Sequence, residues 1–172
     1  MPLYLFKFRQ ASQAEPNSIA HWGIYYPNNG QGTPEENGFP ITGSLFHARG
    51  HFDSASQCFF KCDLPTQYGG PEPYDLRYNK RPFDRYEVTG TEYLTQAQLN
   101  TACLWVTQQR AFDIYNNNCQ RWVKQVFDYL VQTKQLPNSV LQDMENHGYT
   151  TLKQRCEHCV QCSFPCWKCM WK

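Results

Sequence analysis

Three side chains in this sequence combine a reactive type with a position from which it can act: Cys119, His21 and His47. Cys119 follows the run Asn116-Asn117-Asn118 and opens the segment Cys119-Gln120-Arg121-Trp122-Val123. Asn is a favoured N-cap residue, so an Asn118 cap places Cys119 in the first turn of a helix. There the unpaired backbone N–H groups and the helix dipole favour a thiolate over a thiol. A thiolate attacks carbonyl carbon, and the same N–H groups suit the oxyanion that attack creates. A lone cysteine is more often a small buried hydrophobe than a nucleophile. Polar neighbours and a helix start are what set Cys119 apart.

The histidines come from two apolar, alternating segments. In His21-Trp22-Gly23-Ile24-Tyr25, residues 21, 23 and 25 share one face of a strand. In Ser44-Leu45-Phe46-His47-Ala48-Arg49, residues 45, 47 and 49 do the same. Pairing of the two strands puts His21 and His47 on one surface of the sheet. An imidazole base oriented by a second polar side chain and set beside a thiol is the general arrangement of nucleophilic hydrolases. His51, His147 and His158 have no comparable context and read as surface residues.

These side chains need a scaffold, and the pattern predicts an α+β one. Residues 3–9 alternate as a strand, 19–26 form a second, 43–49 a third, 57–62 a fourth and 85–89 a fifth. Loops rich in Gly, Pro and Asn separate them at 10–17, from Pro27 to about Thr42, and from Leu64 to Lys80. The last of these reads as an exposed wall of a cleft. The second half is helical. Thr95 and Gln98 have the spacing of a capping box, and Leu99, Ala102, Cys103, Val106 and Arg110 follow it at helical intervals. Trp122, Val123, Val126, Phe127, Leu130 and Val131 form a wide apolar stripe ending before Pro137. A short third helix fits Ser139 to His147. Strands first and helices second imply a small antiparallel sheet packed against helices.

The chain has 172 residues, 41% hydrophobic and 16% aromatic, enough for one well-filled core over residues 1–150. A net charge of +1, without a basic stripe, weighs against nucleic acid as a partner. No signal-peptide pattern and no transmembrane run is expected, which makes a reducing, cytoplasmic setting the default. Residues 151–172 form a separate tail holding Cys156, Cys159, Cys162, Cys166 and Cys169, five of the nine cysteines. Its two Cys-x2-Cys pairs resemble half-sites for zinc or iron–sulfur, but their separation is short for a zinc finger. Aromatic and basic residues beside the thiols equally suit acylation and membrane contact, and an unstructured tail is the simplest reading. No metal or other cofactor is assigned.

Taken together, "HWGIYY", "GSLFH" and "NNNCQRWVKQVFDYL" resemble the circularly permuted branch of the NlpC/papain-like superfamily, in which the His strand precedes the Cys helix. The pattern is similar to that of lecithin:retinol acyltransferase-like proteins, PPPDE-type isopeptidases and fungal proteins of the same general type. The resemblance spans residues 3 to 136. It implies a permuted papain-like core, with Cys119 as nucleophile, His21 as base and His47 as orienting third member. Three departures bear on substrate: Gln120-Arg121-Trp122 replaces the acyltransferases' Glu-His-Phe, His47 lies further from His21 than in their tight hairpin, and the segment from Arg49 to Asn116 is long and loop-rich. The expected function is a thiol-dependent hydrolase or acyltransferase acting on a small-molecule, lipid or peptide ester, amide or isopeptide bond. The rival is an inactive binding module on the same fold, which a Cys119 sealed beneath the core would favour.

Overall fold

The alternation at the N-terminus becomes strand β1, Leu3–Phe8. Leu3 and Leu5 face one side and Tyr4, Phe6 and Phe8 the other, and all five are buried. The structure, a computed structural model, describes residues 2–8, 21–29, 35–49, 67–79, 83–109 and 119–147. Within them β1 is joined by β2 (His21–Pro27), β3 (Glu35–Glu36), β4 (Phe39–Pro40), β5 (Thr42–Arg49), β6 (Gln67–Asp75) and β7 (Phe83–Val88). Helices α1 (Gln96–Gln109), α2 (Cys119–Gln132) and α3 (Ser139–Asn146) follow. Five strands form one antiparallel sheet in the order β6-β5-β2-β1-β7, so the two histidine strands are central neighbours. The α+β class is as expected.

The helices cover one face. Val123, Val126, Phe127 and Leu130 of α2 and Leu99, Ala102 and Cys103 of α1 are fully buried against Leu3, Leu5, Ile24 and Phe46. At about 1.5–3 kcal/mol per fully buried large aliphatic or aromatic side chain, this layer is the main source of stability. The capping box forms as expected: Thr95 N–H donates to Gln98 Oε1 at 2.9 Å, and Gln98 N–H donates to Thr95 Oγ1 at 3.2 Å. Trp122 Nε1 donates to Thr107 Oγ1 at 3.0 Å, locking α2 to α1. At the end of α2, Lys134 takes a left-handed conformation (φ 59°) and Gln135 N–H returns to the Leu130 carbonyl, closing the helix before Pro137.

The opposite face is aromatic. Phe6 stacks on Tyr25 with ring centroids 4.7 Å apart, and Tyr4 meets Phe39 edge-on at the same distance. Arg85 lays its guanidinium over Phe39 at 3.9 Å, a cation–π contact that closes this side. Phe39 arrives on a hairpin where a loop was expected: β3 and β4 turn through Asn37 (φ 54°) and Gly38 (φ 73°). Two successive positive φ values are what a two-residue type I′ hairpin turn requires, and Asn-Gly supplies them cheaply.

Residues 67–79 also depart from the loop expected over 64–80. The segment from Gln67 to Asp75 is the edge strand β6, paired with β5, followed by a single 3-10 turn at Leu76–Tyr78. Pro71 and Pro73 are tolerated because, among the described residues, β6 is an edge strand with one side free of ladder partners. The expected strand at 57–62, the expected cap at Asn118 and the cysteine tail lie outside the described residues.

Candidate active site

The β2–β5 register pairs Ile24 with Phe46 and Tyr25 with Leu45, which sets His47 across from Gly23 and diagonal to His21. His21 Nε2 and His47 Nδ1 lie 2.9 Å apart, a direct hydrogen bond between the rings. The rings meet edge to face at 82° with centroids 5.0 Å apart. Phe8 stacks beside His21 at 5.9 Å, restricting the ring from its other side. His47 is only 4% exposed, so its orientation is set by packing as well as by the bond.

One glycine makes room for that ring and a second for Leu45 beside it. A Cβ on Gly69 would stand 2.5 Å from His47 Nε2, and one on Gly23 would meet Leu45 Cδ1 at 2.9 Å and His47 Cβ at 3.6 Å. The imidazole lies across the backbone of β6, in space that any larger residue would fill. Gly69→Ala must therefore push His47 off its contact with His21. The expected cost is about 1–3 kcal/mol of stability, typical of overpacking. The checks are chemical denaturation and the loss of the shared proton signal between the rings.

Glu72 completes the row, and residue patterning missed it. Leu45 pairs with Glu72 and His47 with Gly69, so one residue of β5 opposes two of β6, a β-bulge at Gly70 and Pro71. Gly70 takes φ 137° there, and a Cβ would lie 2.7 Å from the Leu45 carbonyl oxygen. In an unbroken ladder Glu72 would oppose Ser44 and point toward the helices. The extra residue turns it onto the histidine face, the re-aiming that bulges perform. Glu72 Oε2 lies 3.4 Å from His47 Nε2, and its side chain is 40% exposed.

Cys119 is the first residue of α2, as expected. Backbone N–H groups of Trp22, Gln120 and Cys119 itself donate toward its sulfur. Two of these are helix-start amides. The third is the peptide nitrogen joining Trp22 to His21, so the thiol sits against the strand that carries His21. The residue is buried at 8% exposure and belongs to neither apolar cluster. The expectation of a depressed thiol pKa is corrected here. The three amides do pull it down, but burial outweighs them and pushes it from 9.0 up to about 11. The resting sulfur at neutral pH is a thiol.

The same burial makes stability pH-dependent. Below pH 9 both folded and unfolded chains keep the Cys119 proton; between about 9 and 11 only the unfolded chain loses it. Stability therefore falls across that window, by on the order of 2–3 kcal/mol from this group. Buried Cys103 and Tyr68, also shifted upward by desolvation, act in the same direction. Urea unfolding at pH 8 and pH 10 should show a loss that is smaller in Cys119→Ala.

Trp22, Tyr25 and Trp122 are core residues, with Tyr25 Oη donating to the Pro40 carbonyl oxygen at 3.0 Å. His147 lies exposed at the end of α3, its Nδ1 2.8 Å from the Asp143 carbonyl oxygen. Among the described residues, no group of three or more His, Cys, Asp or Glu side chains is disposed to hold a metal ion, and no helix is long and apolar enough to cross a membrane. Comparisons with protein-family models, curated proteins and solved structures returned no match for this chain.

Proposed function

We propose that the chain is a thiol-dependent hydrolase or acyltransferase on a permuted papain-like core, with Cys119 as nucleophile, His21 as base and His47 as its orienting partner. The observation that carries this reading is the convergence of the two motifs. The Cys119 sulfur receives the N–H of Trp22, and the adjacent residue His21 is held at 2.9 Å by His47. As substrate binds, the Cys119 S–H proton passes to His21 and the sulfur bonds to the carbonyl carbon. The carbonyl oxygen becomes an oxyanion, for which the helix-start N–H groups are suitable donors. Collapse breaks the ester, amide or isopeptide bond, and the His21 imidazolium gives its proton to the departing alcohol or amine. Water or an acceptor alcohol or amine then yields a proton to His21 and attacks the thioester. The C–S bond breaks, and the thiol is restored.

With burial holding the thiol up at about 11, the sulfur depends on His21 to take its proton as attack proceeds. The same burial is the observation that favours the second reading, an inactive module with Cys119 as a packed core residue. The two are separated by turnover of a panel of activated ester, thioester and isopeptide substrates. Turnover lost in both Cys119→Ala and His21→Ala supports the hydrolase. Absence of turnover, with Cys119 inert to thiol reagents in the folded chain, supports the module.

A further inference from the structure

We propose that Glu72 is a positioning residue, which fixes the direction of the His21–His47 hydrogen bond so that His21 presents Nδ1 as its proton acceptor. The inference deepens the thiol-hydrolase reading and rests on it for its catalytic meaning.

A hydrogen bond between two neutral imidazoles can run either way, because each ring has one donor and one acceptor nitrogen. The 2.9 Å contact between His21 Nε2 and His47 Nδ1 does not choose between them. Glu72 does. An ionised carboxylate only accepts, so the His47 nitrogen facing it, Nε2, must carry the proton. His47 Nδ1 is then the lone pair, and it must accept from His21 Nε2–H. His21 is left with its lone pair on Nδ1, the only ring position from which it can take a proton in its neutral form. The reverse arrangement would face a lone pair of His47 against the carboxylate. When His21 becomes an imidazolium, the row Glu72–His47–His21 also places a negative charge at the far end of its hydrogen bond.

The backbone around Glu72 is shaped for this placement. Without the bulge at Gly70 and Pro71 the carboxylate would lie on the other face of the sheet, and without Gly69 the His47 ring could not lie across β6 to reach it. The 3.4 Å separation is at the long end of hydrogen bonding, a looseness common in catalytic contacts before substrate binds. Glu72 is half-exposed on an edge strand, so its substitution leaves the core untouched.

The test is side-chain nitrogen NMR on the full-length, 15N-labelled chain, with His21 and His47 assigned through single His→Gln variants. The wild type should show both rings protonated on Nε2. Glu72→Gln, whose amide oxygen still accepts, should keep that pattern. Glu72→Ala should lose it at His47, with kcat falling about tenfold and KM unchanged. A His47 ring protonated on Nδ1 in the wild type, or a pattern unaltered in Glu72→Ala, would overturn the inference while leaving Cys119 reactivity intact. Loss of the hydrolase reading would look different: correct tautomers beside an inert Cys119.

Discussion

Cys119→Ala should abolish turnover, by at least about 10³-fold, since nucleophilic catalysis has no partial substitute once the sulfur is gone. The measurement is steady-state hydrolysis of an activated ester or thioester, with trapping of the thioester intermediate by mass spectrometry as the companion readout. The fold should survive. Removing one sulfur from a buried site costs on the order of 1 kcal/mol, and the stripe that anchors α2, Val123, Val126, Phe127 and Leu130, is untouched. Cys103→Ala is the control. That thiol is fully buried in the layer between helices and sheet, and its loss should change stability but not chemistry.

His21→Ala is expected to cost about 10²–10⁴-fold in kcat, the usual worth of a positioned general base. The dependence on an imidazole is greater here than at a site with a preformed thiolate. Burial holds the Cys119 thiol at about 11, so without an imidazole only a minute fraction of sulfur is ionised near neutrality. The pH profile of kcat should change shape accordingly. The wild-type rate should level off well below the thiol's own value, whereas the residual rate of His21→Ala should keep rising toward it. His21 lies at the end of β2 and is not fully buried, so the change is readable in a folded protein. Circular dichroism should confirm an unaltered fold.

How much of this site residue patterning could reach depends on the length scale of the signal. His21 and His47 were legible because strand side chains alternate with period two, and a single register then puts both on one face. The start of α2 at Cys119 was legible for a similar reason, since its apolar stripe repeats at helical spacing. Glu72 was not. Gly69-Gly70-Pro71-Glu72-Pro73 has the composition of a turn, and only the pairing with β5 reveals a bulged edge strand that aims a carboxylate at His47. The hairpin at 35–40 did carry a local mark, Asn37-Gly38, but its two-residue strands are too short for alternation to register. The net direction of the Cys119 pKa was beyond any local reading. The helix-start amides are visible in sequence, but the burial that outweighs them is a property of the whole fold.

The claim at the centre of this account is that Cys119 and His21 act as one unit. Its most direct test is the rate at which Cys119 is alkylated by iodoacetamide, followed by peptide mass mapping so that the other eight cysteines do not confuse the readout. In the wild type the rate at Cys119 should rise well below the thiol's own range, because His21 takes the proton. In His21→Ala that rise should disappear, leaving only reaction that climbs toward pH 11. Identical profiles in the two proteins, or a Cys119 that reacts only after unfolding, would contradict the account.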